Sequence, residues 1–343
     1  MAGTSNNQAI ANSQVIALST PAWQTHLKFA IRDLPTLLAE LELTPHECGV
    51  SQAAATQFAV RVPRAFVSRM QKGNPRDPLL LQVLATNEEL ETHSGFTTDP
   101  LEEQSANPTR GLIHKYRGRA LLMPTTACAV NCRYCFRRHF PYENNRLDTE
   151  ALDQVVNYLM SDSSLTEIIL SGGDPLLLDD ELLQRLVIKL ETVPHLRRLR
   201  IHSRTPVVIP ERLTDELGQL LRDSRLAPSL VIHCNHPNEI DDALSRRLLT
   251  LRDFGIAIFN QSVLLKGIND SADTLIALSE KLFDCGVIPY YLHQLDQVQG
   301  AAHFAIPDAR ALELHNAMRR ALPGYLLPAL VRELPGEPNK TPL

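Results

Sequence analysis

The chain has 343 residues, 44% of them hydrophobic, with a formal net charge of −5 and a pI near 6.2. That is enough apolar material to bury a sizeable core in one large domain with an appendage, and the acidic balance excludes the basic footprint of a nucleic-acid binder. No apolar run approaches the ~20 residues needed to cross a bilayer, and no basic segment followed by an apolar stretch marks a secretory signal.

Residues 1–19 are rich in Ala, Ser, Asn and Gln without periodicity, which predicts a disordered leader. Residues 20–110 are expected to form an N-terminal helical region, with apolar spacing over Thr36–Leu43 and Ala53–Val60. Val62–Phe66 and the Pro/Gly-rich Lys72–Pro78 break it into short pieces.

After Leu112 the texture changes. Residues 111–330 alternate short β-rich runs with amphipathic stretches, and residues 331–343 form a terminal segment. The runs are Ala120–Pro124, Glu167–Leu170, Leu199–His202, Leu230–His233, Ala257–Leu264 and Ile288–His293. The helical stretches between and after them are Asp148–Ser161, Asp179–Thr192, Pro210–Arg222, Glu239–Phe254, Ser271–Cys285 and Pro307–Leu322. Six such units predict an α/β fold, a partial (β/α)6 barrel of parallel strands with a helical appendage at its N-terminus. In such folds chemistry belongs at the C-terminal ends of the strands. Polar and glycine residues fall there: the loop after strand one, Ser171–Asp174, Ser203-Arg204, His233 and Asn235, Asn260 and Gln261, and Asp296.

The loop after strand one carries Cys128, Cys132 and Cys135, spaced Cys-x3-Cys-x2-Cys. Three clustered thiolates can hold three irons of a [4Fe-4S] cluster and leave the fourth iron open to a ligand. The competing arrangement is a structural zinc site completed by His139, but zinc normally takes four protein ligands, often from paired Cys-x2-Cys knuckles. Six cysteines are too few for a disulfide framework. A cluster on reduced thiolates points to the cytoplasm, and Cys48, Cys234 and Cys285 fit small buried hydrophobes. The Gly172-Gly173-Asp174-Pro175 turn after strand two would let a ligand approach the backbone closely.

Together these stretches resemble the radical S-adenosylmethionine (SAM) enzymes, and within them the lysine 2,3-aminomutase family. The matching segments include His114–Arg119, Cys128–Arg138, Leu170–Leu176, His202–Pro206, His233–Glu239, Asn260–Leu265, Pro289–His293 and Pro335–Pro342, collinear over ~110–343. The phrases Arg137–Tyr142 and Gln299–Phe304, with the short C-terminus, are similar to the branch that makes (R)-β-lysine for modification of elongation factor P. The resemblance implies three cofactors: a [4Fe-4S] cluster on the three cysteines, SAM, and pyridoxal 5′-phosphate (PLP). Residue by residue, it implies that Lys340 anchors PLP covalently, with Lys115, Tyr116 and Arg119 around its phosphate and ring. SAM contacts fall to Gly172, Gly173, Asp174, Arg204, His233 and Gln261, the last also a candidate for PLP. Arg137 would take the substrate carboxylate, and Asp296 and Glu333 the distal ammonium of lysine. Glu333 departs from the family, which carries aspartate at this position.

The implied reaction is an isomerisation of free L-lysine by radical 2,3-amino migration, with an electron donor such as flavodoxin or ferredoxin. The implied functional link is to elongation factor P and its lysyl ligase, without nucleic acid or membrane. The alternative is a catabolic 2,3-aminomutase for lysine or for another amino acid such as glutamate.

Overall fold

A computed structural model describes residues 21–343, and the leader expected over 1–19 lies outside the described residues. Among the described residues nine strands form one sheet in sequential order, β1 to β9. They are β1 (Leu112–Tyr116), β2 (Arg119–Leu122), β3 (Glu167–Leu170), β4 (Arg198–Ser203), β5 (Ala227–Ile232), β6 (Ala257–Val263), β7 (Ile288–His293), β8 (Ala329–Arg332) and β9 (Thr341–Pro342). From β2 to β8 every neighbouring pair is parallel, and the edge pairs β1–β2 and β8–β9 are antiparallel.

Ahead of the sheet lie α1 (Ala22–Lys28), α2 (Leu34–Glu40), α3 (Gln52–Gln57) and α4 (Arg64–Val67). The parallel strands are joined by α5 (Thr149–Ser161), α6 (Asp180–Glu191), α7 (Thr205–Val208), α8 (Asp215–Asp223), α9 (Asp242–Asp253), α10 (Ala272–Asp284) and α11 (Asp308–Ala321). The six expected β/α units are therefore present, as an open sheet. Side-chain caps fix where the connecting helices start: Asp148, Asp179, Thr214, Asp241 and Ser271 each accept a backbone N–H from the first turn. A cap of this kind contributes about 1 kcal/mol. In α6, Leu183, Leu186, Val187 and Leu190 form the buried stripe that helical periodicity requires.

Strands β1, β8 and β9 have no counterpart among the six expected strands. Strand β8 adds a seventh parallel strand, short and preceded by Pro328, and it straddles the expected boundary at 330, so the terminal segment is built into the sheet. The N-terminal region holds only short helices, and turns dominate between them, because proline and glycine recur through it. It shares the barrel's core: Trp23, Leu37, Phe66 and Leu79 belong to the same buried cluster as Ile168, Leu199 and Leu230. No helix among the described residues is long and apolar enough to cross a membrane.

The pleat decides what faces the barrel lumen. In β4, Leu199 and Ile201 are buried, whereas Arg200 and His202 on the opposite face line the cavity. The same alternation turns Arg119 and Leu121, Glu167 and Ile169, Gln261 and Val263, and Tyr291 and His293 inward. The apolar face packs under the helices, leaving a lumen rich in polar groups, a cavity of ≈ 550 Å³.

Candidate functional site

The long loop between β2 and α5 carries the three cysteines, all free and all lining the cavity. The N-terminal region clamps this loop. The backbone N–H of Asn131 donates to Arg61 O at 3.0 Å, and that of Arg133 to Gln82 O at 2.9 Å. The buried carboxylate of Glu89 accepts from Arg133 Nε at 2.5 Å and Arg138 Nη2 at 2.6 Å. Both guanidinium groups lie over the Phe58 ring. Burial, with the Cys132 thiol adding to it, pushes the Cys135 thiol up to about 11, a state that metal coordination reverses by holding the thiolate.

Among the described residues no three His, Cys, Asp or Glu side chains gather to ligate a single ion. His139 turns instead to the Gln299 carbonyl, at 3.4 Å, and sets its ring edge-on to Phe58. A three-thiol donor set without a fourth protein ligand suits an open-sited cluster.

The glycines of the Ser171–Asp174 loop make a close contact within the chain. A Cβ on Gly172 would lie 2.7 Å from Met123 Cβ, and one on Gly173 would lie 2.4 Å from Ala127 O. The Gly173 N–H donates to Thr125 O and the Asp174 N–H to Ala127 O, at 3.1 and 2.7 Å. These glycines let two loops touch, backbone to backbone, and the two amides are spent on that contact. Asp174 is held by several bonds within the chain. Its Oδ1 accepts from Ser203 Oγ and Leu176 N, and its Oδ2 from Arg204 N and Thr205 N. The carboxylate therefore ties this loop to the end of β4 while lining the cavity.

Arg204 is also largely engaged: Nη1 donates to His233 O and Nη2 to Gln82 Oε1, both at 2.9 Å, with Glu239 at 3.1 Å. The His233 and Gln261 side chains meet at 2.8 Å, Nε2 to Nε2. Burial, with Arg204 adding to it, pushes His233 down to about 3, so the ring is neutral and accepts from the Gln261 amide.

Lys115, Tyr116 and Arg119 sit on the β1–β2 hairpin, turned by Arg117-Gly118 with Gly118 at φ +82°. Tyr116 and Arg119 are cross-strand partners, and the guanidinium lies 4.3 Å from the ring centroid. Arg119 Nη2 donates to Asn339 Oδ1 at 3.0 Å, joining this hairpin to the residue before Lys340. The chain end returns through a turn at Gly336, φ +79°, and β9 pairs with β8.

Lys340 Nζ lies 2.7 Å from Glu333 Oε2, and the other Glu333 oxygen accepts from Lys115 Nζ. Burial alone would raise the Glu333 carboxyl, but the Lys340 and Lys115 ammoniums outweigh it and hold it well below the usual range. Asp296 lines the same cavity and is pushed up to about 7 by burial, with the Glu333 charge adding to it.

Sequence reasoning missed Glu103. It is 1% exposed and joins Arg137 and Lys115. It lies in a turn without periodicity, so nothing local marks it. His202 and His293 were also passed over, although strand alternation could have placed both in the lumen. Among the described residues their buried Nε2 atoms have no partner, and both rings line the cavity. Unspent polar atoms of this kind fit a cavity built to take polar ligands.

Residues 122–278 match the Radical SAM superfamily. The chain is 49% identical over 319 residues to the L-lysine 2,3-aminomutase of Haemophilus influenzae, covering 93% of this chain and 94% of that protein. It is 48% identical over 335 residues to the L-lysine 2,3-aminomutase of Escherichia coli, covering 96% and 98%. Identity to the L-lysine 2,3-aminomutase of Clostridium subterminale is 35% over 324 residues, 94% of this chain and 77% of that protein. The three cysteines, the glycine loop, Arg204, His233 and Gln261 fall inside the superfamily match, whereas Lys115, Asp296, Glu333 and Lys340 fall outside it.

Proposed function

The chain belongs to the L-lysine 2,3-aminomutase family of radical SAM enzymes, and from that footing we propose that it converts L-lysine to (R)-β-lysine for the modification of elongation factor P. The observation that carries the substrate assignment is one cavity gathering Arg137, the acids Asp296 and Glu333, and Lys340. A ligand with a carboxylate at one end and an ammonium at the other matches that set, and a dicarboxylate does not.

Its cofactors are a [4Fe-4S] cluster, SAM and PLP. Bound there, the reduced cluster and SAM supply the radical that takes and returns a hydrogen atom, and PLP carries the migrating amino group. Cys128, Cys132 and Cys135 would hold the cluster. The Gly172-Gly173-Asp174 loop, Arg204, His233 and Gln261 would border SAM. Lys340 would anchor PLP, and Lys115, Tyr116 and Arg119 would surround it.

The remaining work of the chain is positioning and exclusion. Arg137 orients the substrate carboxylate, and Asp296 and Glu333 fix the distal ammonium, so the carbons between are held at a set depth. The N-terminal region covers the cysteine loop and limits solvent access to the reacting atoms.

The (R) assignment and the link to elongation factor P and its lysyl ligase rest on the Arg137–Tyr142 and Gln299–Phe304 phrases and on Glu333 replacing aspartate. The electron would come from a flavodoxin or ferredoxin. Anaerobic incubation with SAM, PLP, reductant and L-lysine, followed by chiral identification of the product, tests the reading. Glutamate turnover in preference to lysine would overturn it.

A further inference from the structure

One buried carboxylate stands between two groups to which the proposed function gives separate ligands. Glu103 Oε2 accepts from Arg137 Nε at 2.6 Å, and Oε1 accepts from Arg137 Nη2 at 2.8 Å and from Lys115 Nζ at 3.2 Å. Its side chain is 1% exposed, and those of Arg137 and Lys115 are 9% and 18% exposed. Arg137 Nη1 donates to Ser171 Oγ at 3.3 Å.

A guanidinium offers two two-pronged edges to an anion, one through Nε and Nη2, the other through Nη1 and Nη2. Glu103 occupies the first. The second edge keeps N–H groups for a further carboxylate, in an arginine whose plane is already fixed. The same Glu103 oxygen that binds Nη2 also binds the Lys115 ammonium, which continues to Glu333 and then to Lys340. The result is an unbroken run of alternating charge: Arg137, Glu103, Lys115, Glu333, Lys340.

We propose that Glu103 is the positioning residue that sets the separation between the substrate-carboxylate site at Arg137 and the cofactor-phosphate site at Lys115. This rests on the roles given above to Arg137 and Lys115. Glu103 touches neither ligand. It holds both cations through one rigid, desolvated group, so a shift at either end moves the other. Removing its charge leaves two buried cations without their shared anion, and each turns to its next partner, Arg137 to Ser171 and Lys115 to Glu333.

The test compares Glu103→Gln and Glu103→Asp with the wild type. PLP affinity is read by absorbance titration without SAM or lysine, lysine KM and kcat by steady-state assay, and folding by thermal unfolding and iron content. Glu103→Gln is expected to weaken PLP binding and raise lysine KM, each by tenfold or more, with wild-type iron content. Glu103→Asp restores the charge but not the reach, so PLP affinity should return to within threefold while KM stays at least fivefold raised. A folded Glu103→Gln protein with wild-type PLP affinity and KM overturns the proposal. Should Glu103→Gln not fold, an unchanged KM in Glu103→Asp overturns it equally. The underlying assignment is separately tested by Arg137→Lys: an unchanged lysine KM there would remove the carboxylate site itself, whatever Glu103 does.

Discussion

Glu333 and Lys340 are ion-paired, with 2.7 Å between Oε2 and Nζ. The acid proposed to grip the substrate's ammonium thus pairs, in the protein alone, with the ammonium of the proposed PLP anchor. Anchoring PLP on Lys340 would tie up its Nζ in a bond to the cofactor and draw it away from Glu333, which leaves one Glu333 oxygen for a new cation. Cofactor and substrate binding are therefore linked through this carboxylate, and lysine should bind more tightly to PLP-loaded protein than to PLP-free protein. Calorimetry with and without PLP checks the order.

Lys340→Ala should lose the PLP absorbance near the visible edge while retaining iron and SAM cleavage, because different segments of the chain hold the two groups. Borohydride reduction of the wild type followed by peptide mapping should place PLP on Lys340; a label on Lys115 would displace the assignment.

Replacing Cys128, Cys132 or Cys135 by Ala should abolish the cluster, since two thiolates cannot hold four irons with one open site. Iron content and the broad absorbance near 400 nm report the loss.

Glu89 anchors the cysteine loop through Arg133 and Arg138. Glu89→Ala strands two buried guanidinium groups, and breaking a buried pair in this way costs about 3–5 kcal/mol. Thermal unfolding should fall markedly, and iron should be lost faster to a chelator than from the wild type.

The carboxyl of Asp296 is pushed up to about 7 by burial and the Glu333 charge. An ammonium ligand needs the ionised form, so lysine affinity should increase as pH rises through about 7 and decline below it. Asp296→Asn should flatten that profile and weaken binding by about 1.5–3 kcal/mol, the range of a charge-assisted hydrogen bond. A pH-independent KM between 6 and 8 in the wild type would exclude the role.

Most of the barrel was legible because its signals are local. Alternation and helical periodicity located the strands from β2 to β7 and the helices joining them, and the cysteine spacing located the proposed cluster loop. Strand β8 escaped notice because four residues beside a proline carry no periodicity. Strand β1 was hidden because two of its five residues, His114 and Lys115, are polar, the first meeting Tyr158 and the second lining the cavity. Glu103 and Glu89 lie in a loop and a short 3-10 turn, and their partners are 34 to 49 residues away for the arginines they hold. Only tertiary structure brings such pairs together. The glycines of Ser171–Asp174 stand out in the sequence, but their contact with Thr125 and Ala127 does not, since a ligand and a neighbouring backbone both require a missing Cβ, and sequence cannot distinguish them.

The most direct test of the central claim is chiral chromatography of the product formed anaerobically from L-lysine, using wild-type and Glu333→Asp proteins. The longer acid shifts the ammonium anchor by about one methylene, and a displacement near 1 Å changes which hydrogen lies within reach. The account predicts (R)-β-lysine from the wild type and a loss of that stereochemical preference in Glu333→Asp. An (S) product from the wild type, or no β-lysine at all, would contradict it.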